Sequence, residues 1–359
     1  MIYFYPHSYL RDRQLDTIRN WPFNEVINPE IAKNRAGEQV SRKKATSTKL
    51  SRSWNQILPL LNVKLRPKRA PEDAVIYLWG GLIATGPFIV DIDNPWSLVG
   101  YNPSAMRLYK LIIKKVLLSH RCKEIRCMSD ACRKSLKQLF GEGVYEKAVV
   151  HYPYTNQKVI DLPVDTDKSC NFIFVGTQFE LKGGEAFVKA CQIVANECPD
   201  ANFTIITHLP DKYKIFVNSI PRCTVLPANL SRENVYMKMS ESDVLVHPSY
   251  MESFGMVLLE AISCGLGVIT TNMYASNEIV INGSNGFLIN PPISAWHGYV
   301  PTNNFLVPQL LKNMKSVDYR LFVQELVQSM AAIASDSELR NSMKKQSAKH
   351  FKAQFMRQV

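Results

Sequence analysis

The stretch from 171 to 271 alternates in a way that few folds accept. Short runs rich in Val, Ile and Phe, namely NFIFVG (171–176), NFTIIT (202–207), CTVLP (223–227), DVLVHP (243–248) and GVITT (267–271), are separated by helix-like segments such as 184–197 and SRENVYMKMS (231–240). Strands apolar on both faces, each followed by a helix, predict a parallel sheet covered on both sides. The first half carries the same theme more loosely. AVIYLW (74–79), PFIVDID (87–93) and EIRCMSD (124–130) read as strands. One helix is expected after a capping Ser104, carrying AMRLYKLIIKKVLLS, and another over ACRKSLKQLF. In the first of these, Leu108, Leu111, Ile112, Lys115 and Val116 mix core and cationic positions. A chain of 359 residues has the length for two such domains, and 46% apolar residues supply a core for each. The expected fold class is α/β, with two Rossmann-like domains whose parallel sheets face a central cleft. Ligands in such sheets bind beyond the carboxyl ends of the strands. The expected boundaries are 1–160, 161–337 and 338–359, the last a helix packing back toward the N-terminal domain.

Charge divides the chain unevenly. Residues 1–160 hold 26 Lys and Arg against 13 Asp and Glu, a balance of +13, while the remainder holds 17 against 18, or −1. The basic half points to an anionic partner: a phospholipid surface, a phosphorylated substrate or nucleic acid. No nucleic-acid recognition motif accompanies the charge, so that partner class is set aside. The alternative is that the charge serves solubility alone. Residues 30–70, with SRKK (41–44) and RPKR (66–69), read as a solvated loop. No run of apolar residues is long enough to predict a transmembrane helix, and the N-terminus does not read as a signal peptide. None of the eight cysteines forms a CxxC pair. Cys122, Cys127 and Cys132 recur at a spacing that does not share a helix face, so reduced thiols and no metal site are expected.

The chemistry is expected in HPSYMESFGMVLLEAISCG (247–265). The strand DVLVHP directs this segment to the ligand-binding end of the sheet, and a helix is expected to start near Phe254. A helix N-terminus is a ready anion site, and Gly255 leaves room for a phosphate to approach. Glu252 lies before the helix and Glu260 within it. At 1.5 Å rise per residue the two carboxylates stand roughly 8–12 Å apart, enough to reach the two ends of a sugar–diphosphate–ribose. The plainer alternative is a capping acid and an ordinary surface glutamate.

Pro248, Ser249, Glu252, Phe254, Gly255, Glu260, Ala261, Gly265, Val268, Glu278 and Gly286 together resemble the donor-site signature of the retaining glycosyltransferases of family 4, which have the GT-B fold. The usual proline of that signature is Gly267 here. VGTQFELKGG (175–184) is similar to the family's phosphate loop, with Thr177 where an arginine often stands. The resemblance is strong over 171–290, weak over 74–154 and scarcely extends to 1–70. It implies that Glu260 binds the ribose, Glu252 the transferred sugar, and Lys182 the diphosphate. The backbone of Gly176, Thr177, Ser253, Phe254, Gly255 and Met256 would line the donor. It also implies no metal and no cofactor beyond a UDP- or GDP-sugar substrate, and a glycan or lipid-linked acceptor.

The family commonly has a histidine after the strand matching PFIVDI; Asp93 stands there, either orienting a hydroxyl or simply forming a turn before Asn94-Pro95. His151 and His247 read as structural. The expectation is a retaining, metal-independent glycosyltransferase of cell-surface polysaccharide or lipopolysaccharide synthesis. It would be cytoplasmic and peripheral on the inner face of the plasma membrane. The alternative is a catalytically silent binder of sugar nucleotides on the same fold.

Overall fold

The computed structural model describes residues 1–6, 10–22, 25–33, 59–155 and 169–356. The SRKK stretch and most of the polar connection at 155–170 lie outside the described residues. The chain forms two compact units, Met1–Tyr154 and Thr155–Val359.

The first unit is built from β1 (Ile2–Phe4), α1 (Asp12–Arg19), β2 (Val75–Trp79), β3 (Phe88–Ile92), α2 (Pro103–Leu118), β4 (Cys122–Cys127), α3 (Asp130–Phe140) and β5 (Ala148–Val150). The strands form one parallel sheet in the order β1-β2-β3-β4-β5. Ser129 caps α3, accepting the Cys132 N–H. The cap of α2 differs from expectation. Asn102, not Ser104, accepts the first amides, from Ser104 at 2.9 Å and Ala105 at 3.1 Å, and Pro103 occupies the first helical position. The buried face of α2 also differs. Met106, Ile113 and Leu117 face the unit, whereas Leu108, Leu111 and Ile112 are 64%, 79% and 53% exposed. At about 100° per residue, positions 106, 113 and 117 share one side and 108, 111 and 112 the opposite one.

The second unit contains β6 (Cys170–Gly176), α4 (Gly184–Glu197), β7 (Ala201–Thr207), β8 (Cys223–Pro227), α5 (Arg232–Ser240), β9 (Val244–His247), α6 (Met256–Ser263), β10 (Gly267–Thr271), β11 (Gly286–Ile289), α7 (Arg320–Ser335) and α8 (Ser337–Gln354). Its strands are all parallel and run β8-β7-β6-β9-β10-β11. This is the doubly wound order, and the direction of winding reverses between β6 and β9. The core that fixes this sheet is aromatic and aliphatic. Phe172 stacks on Phe203 and Phe174 on Phe187, and Ile205, Val246, Ile269 and, from α7, Leu326 and Met330 belong to the same buried cluster. Gly267 donates its N–H to Asp243, a bond that proline lacks the hydrogen to make. The last helix, α8, packs on this second unit. Its Lys344 pairs with buried Asp243 at 2.6 Å, Ser347 donates to the Leu266 carbonyl, and Met343 enters the core.

Candidate functional site

The reversal between β6 and β9 leaves a crevice at their carboxyl ends, and the two loops that leave those ends are stitched together. Tyr250 N–H donates to the Leu181 carbonyl at 3.0 Å. The Ser249 hydroxyl lies 3.0 Å from the Met251 carbonyl, and Thr271 donates to the Ser249 carbonyl at 2.6 Å. Gly183 precedes α4 with φ +77°, and a Cβ there would lie 2.0 Å from the Pro248 carbonyl oxygen. Only a residue without a side chain lets the two loop backbones meet this closely.

This contact carries Lys182 across the crevice. Its stem runs over Gly176, where an added Cβ would stand 3.1 Å from the lysine Cγ. Its ammonium donates to the Met251 carbonyl at 3.1 Å and to the carboxylate of Glu252. Burial pushes the Glu252 carboxyl up, but the charge of Lys182 and then the polar contact of the His247 ring outweigh it and hold its pKa down at about 2. Because the folded value lies below the ordinary 4.5, the pair contributes its full stability above that pH. The contribution drains away as pH falls toward about 2.

Gly255, at φ +89°, caps α6, which begins at Met256 rather than Phe254. The Leu258 and Leu259 amides already return to the Gly255 carbonyl, at 2.9 and 3.3 Å. The first turn of α6 therefore opens with the amides of Met256 and Val257, which precede the helix's own ladder. Phe254 is a core side chain, Ser253 is half-buried, and Thr177 is exposed at the end of β6. Glu260 lies further along α6, its carboxylate 3.9 Å from the Arg232 guanidinium of α5. Arg232 in turn lies over the ring of Tyr236, 5.5 Å from its centre.

Two groups beside this cluster carry no signal as pattern matches. Arg232 sits at the start of α5, a position unremarkable in sequence, and its approach to Glu260 of α6 joins two separate helices. His247 reads as structural from sequence, and it is buried, with its ring facing Phe174. It is also 3.8 Å from Glu252.

Asp93 belongs to the first unit, just past the end of β3. Tyr101 donates to it at 3.0 Å and the Asn94 side chain at 3.2 Å. Burial raises its pKa, against the pull of Arg13 and Tyr101. Beside it, Asp91 accepts from Arg13 at 2.9 Å and from the Tyr77 hydroxyl at 2.7 Å. Both Asp91 oxygens are thereby engaged. Among the described residues no group of three or more His, Cys, Asp or Glu is arranged to hold a metal ion. His151 pairs with Glu124 at 3.2 Å.

The second unit is thus a doubly wound sheet with a lysine, a carboxylate and a helix N-terminus at its switch point. The model of the family described as glycosyl transferases group 1 matches residues 163–300, within the second unit. Curated relatives include an uncharacterized glycosyltransferase of Methanocaldococcus jannaschii, 31% identical over 170 residues, or 46% of this chain and 44% of the relative. The D-inositol 3-phosphate glycosyltransferase of Paenarthrobacter aurescens is 32% identical over 34% of this chain and 32% of its own length. The lipopolysaccharide glucosyltransferase WaaG of Escherichia coli is 28% identical over 33% of each. The chain spans less than half the length of these relatives. Among solved structures, Anabaena HepE, determined with UDP and glucose, aligns over 77% of this chain and 73% of its own at 16% identity and a TM-score of 0.52. WaaG aligns over 79% and 75% at 15% identity and 0.52. These likenesses establish the GT-B fold.

Proposed function

We propose that the protein is a retaining glycosyltransferase that moves a sugar from a UDP- or GDP-sugar to a glycan or lipid-linked acceptor. The observation that carries the proposal is the Lys182–Glu252 pair at the switch point, facing the first turn of α6. Each member matches one end of a glycosyl diphosphate. Lys182 and the leading amides of α6 meet the diphosphate and stabilise the charge that grows as it leaves. Glu252, a carboxylate at any physiological pH, accepts hydrogen bonds from hydroxyls of the sugar. Glu260, beside Arg232, takes the ribose diol. In the reaction the bond from the anomeric carbon to the phosphate oxygen breaks through a short-lived oxocarbenium ion. The acceptor oxygen bonds to the same face, and its proton passes to the departing phosphate. Asp93, at the carboxyl end of the first unit's sheet, orients an acceptor or donor hydroxyl. The domain boundaries near 160 and 337 are proposed as divisions of labour: acceptor first, donor second.

HepE, crystallised with UDP and glucose, and WaaG, a lipopolysaccharide glucosyltransferase, support a UDP-sugar donor and a role in cell-surface glycan or lipopolysaccharide synthesis. The test is incubation with UDP- and GDP-sugars, scoring release of nucleoside diphosphate and the anomeric configuration of the product by proton NMR. A donor at 100 times its dissociation constant should also stabilise the fold by about 2.7 kcal/mol. Binding without turnover would favour the silent binder instead, and an inverted product would refute retention.

Lys182→Ala is expected to cost about 1.5–3 kcal/mol in donor affinity or rate, the size of a charge-assisted hydrogen bond. Wild-type kinetics in that variant would mean the diphosphate is held elsewhere. Activity is expected to survive EDTA, because the proposed charge stabilisation comes from Lys182 and backbone amides. Complete loss restored by manganese would refute it.

A cytoplasmic, peripheral location at the inner membrane face is part of the same proposal. No helix among the described residues is long and apolar enough to cross a membrane. The exposed Leu108, Leu111 and Ile112 of α2 are flanked by Lys110, Lys114 and Lys115, the composition of an interfacial helix. Each lysine near an anionic bilayer contributes about 1 kcal/mol. Sedimentation with anionic liposomes should be strong at low salt, weak at high salt, and reduced in Lys110→Ala/Lys114→Ala/Lys115→Ala and in Leu111→Gln. Protein remaining in the supernatant at low salt would refute membrane docking.

A further inference from the structure

His247 ends β9, 1% exposed, and neither ring nitrogen makes a hydrogen bond of good geometry, although the Glu252 carboxylate and the Val175 carbonyl lie close enough to act on the ring. A buried imidazole left in this state costs free energy unless a partner arrives in another state of the site. The strand on which it sits is fixed, since its carbonyl accepts from Thr270 at 2.7 Å and β9 is paired on both sides. The ring therefore cannot turn to water. Its Nε2 lies 3.8 Å from one oxygen of Glu252, just beyond hydrogen-bond reach, and that same oxygen is held by Lys182. The charged groups facing the ring are Glu252 and Lys182; the Val175 carbonyl and the Phe174 ring complete its surroundings.

Lys182 has two calls on it. Free of ligand it neutralises Glu252; a diphosphate in the crevice, with more charge than one carboxylate, draws the ammonium away on its flexible stem. Glu252 would then be a half-buried carboxylate that has lost its cation at the moment it must hold a sugar hydroxyl. We infer that His247 is a positioning residue for Glu252: when Lys182 turns to a diphosphate, the His247 Nε2–H takes the carboxylate oxygen that Lys182 releases and fixes it for the sugar. The inference rests on the donor-site reading above. It links recognition of the diphosphate to recognition of the sugar through one shared oxygen. Burial lowers the pKa of the ring, so it acts as a neutral donor and does not carry charge into the site. A shift of under 1 Å closes 3.8 Å to an ordinary hydrogen bond of about 2.9 Å.

The test is nitrogen-15 NMR of the imidazoles, with His247 assigned by the resonance lost in His247→Gln. Lys182→Met should bring out a slowly exchanging, hydrogen-bonded Nε2–H that the ligand-free wild type lacks, and the double variant Lys182→Met/Glu252→Ala should abolish it. Lys182→Ala serves the same purpose if the methionine variant does not fold. Saturating UDP or GDP should produce the same resonance in the wild type. Its absence in the lysine variants, or its persistence in the double variant, overturns the inference. So does a wild type that binds UDP or GDP without developing it. A wild type that binds neither nucleotide refutes the donor-site reading, and the lysine variants still decide the coupling of His247 to Glu252. In turnover, His247→Leu should lower kcat about tenfold or more with UDP affinity held within about twofold, and His247→Gln should recover much of the loss.

Discussion

Glu252→Ala is expected to lower kcat about a hundredfold while leaving nucleoside diphosphate affinity unchanged or tighter. The two halves of this expectation come from the same contact. In the free protein Glu252 is the charged partner of Lys182, so a diphosphate must compete with it for the ammonium. Removing the carboxylate frees Lys182 for the phosphate. It also removes the group proposed to hold the sugar, and a misplaced anomeric carbon costs about two orders of magnitude in rate. Glu260→Ala should behave in the opposite sense. Glu260 stands with Arg232, away from the Lys182 contact, so its loss is expected to weaken nucleotide binding more than turnover. Isothermal titration with UDP and GDP, beside steady-state kinetics on the same preparations, separates the two. Equal effects of both substitutions on binding and rate would mean that the two carboxylates do not divide sugar from ribose as proposed.

The acids were legible in the sequence because they lie at fixed spacing on one strand–loop–helix segment, where local geometry fixes their relation. Lys182 was legible for the same reason, lying between a strand and a helix in a glycine-rich turn. The pairing of Lys182 with Glu252 was not legible, because it joins positions 70 residues apart. It exists only because β6 and β9 are neighbours, and strand order is a property of the whole sheet. Arg232 needs the same knowledge. His247 looked structural because a histidine at the end of an apolar strand usually is one, and burial alone does not tell what the ring will face.

The fold divides in the same way. Strands at 170–176, 201–207, 223–227, 244–247 and 267–271 were readable because a buried parallel strand must be apolar throughout. The start of α6 was misplaced by two residues because Gly255 can adopt a left-handed φ, and the chain uses it to turn before the helix begins. In α2 the apolar positions were too many for one buried face, so Leu108, Leu111 and Ile112 read as core although they point outward. A helix with apolar residues on both sides does not reveal from sequence which side the sheet covers. The first unit was harder to read throughout, since β1 reaches its neighbour β2 only across some 70 intervening residues.

Gly183→Ala is expected to destabilise the second unit by about 2–5 kcal/mol and to remove donor binding even at temperatures where the variant remains folded. The backbone at this position lies in the left-handed region, φ +77°, which costs a residue bearing a Cβ about 1–2 kcal/mol. The new methyl would also stand 2.0 Å from the Pro248 carbonyl oxygen, far inside van der Waals contact. That neighbour is backbone and does not rotate away, so the loops leaving β6 and β9 must separate, at a further cost of about 1–3 kcal/mol. Separation strains the hydrogen bond from Tyr250 to Leu181 and moves Lys182 relative to Glu252, which sit on opposite sides of the same seam. Stability and binding therefore fall together, unlike Lys182→Ala, where binding falls and the fold is kept. Gly283 supplies the control. It too has a positive φ, +77°, but an added Cβ meets nothing within 4 Å, so Gly283→Ala should show the backbone term alone and leave binding intact. Thermal denaturation of both variants, with and without UDP or GDP, reads the difference. If Gly183→Ala loses no more stability than Gly283→Ala and still binds nucleotide, the seam between the two loops is not what holds the site together.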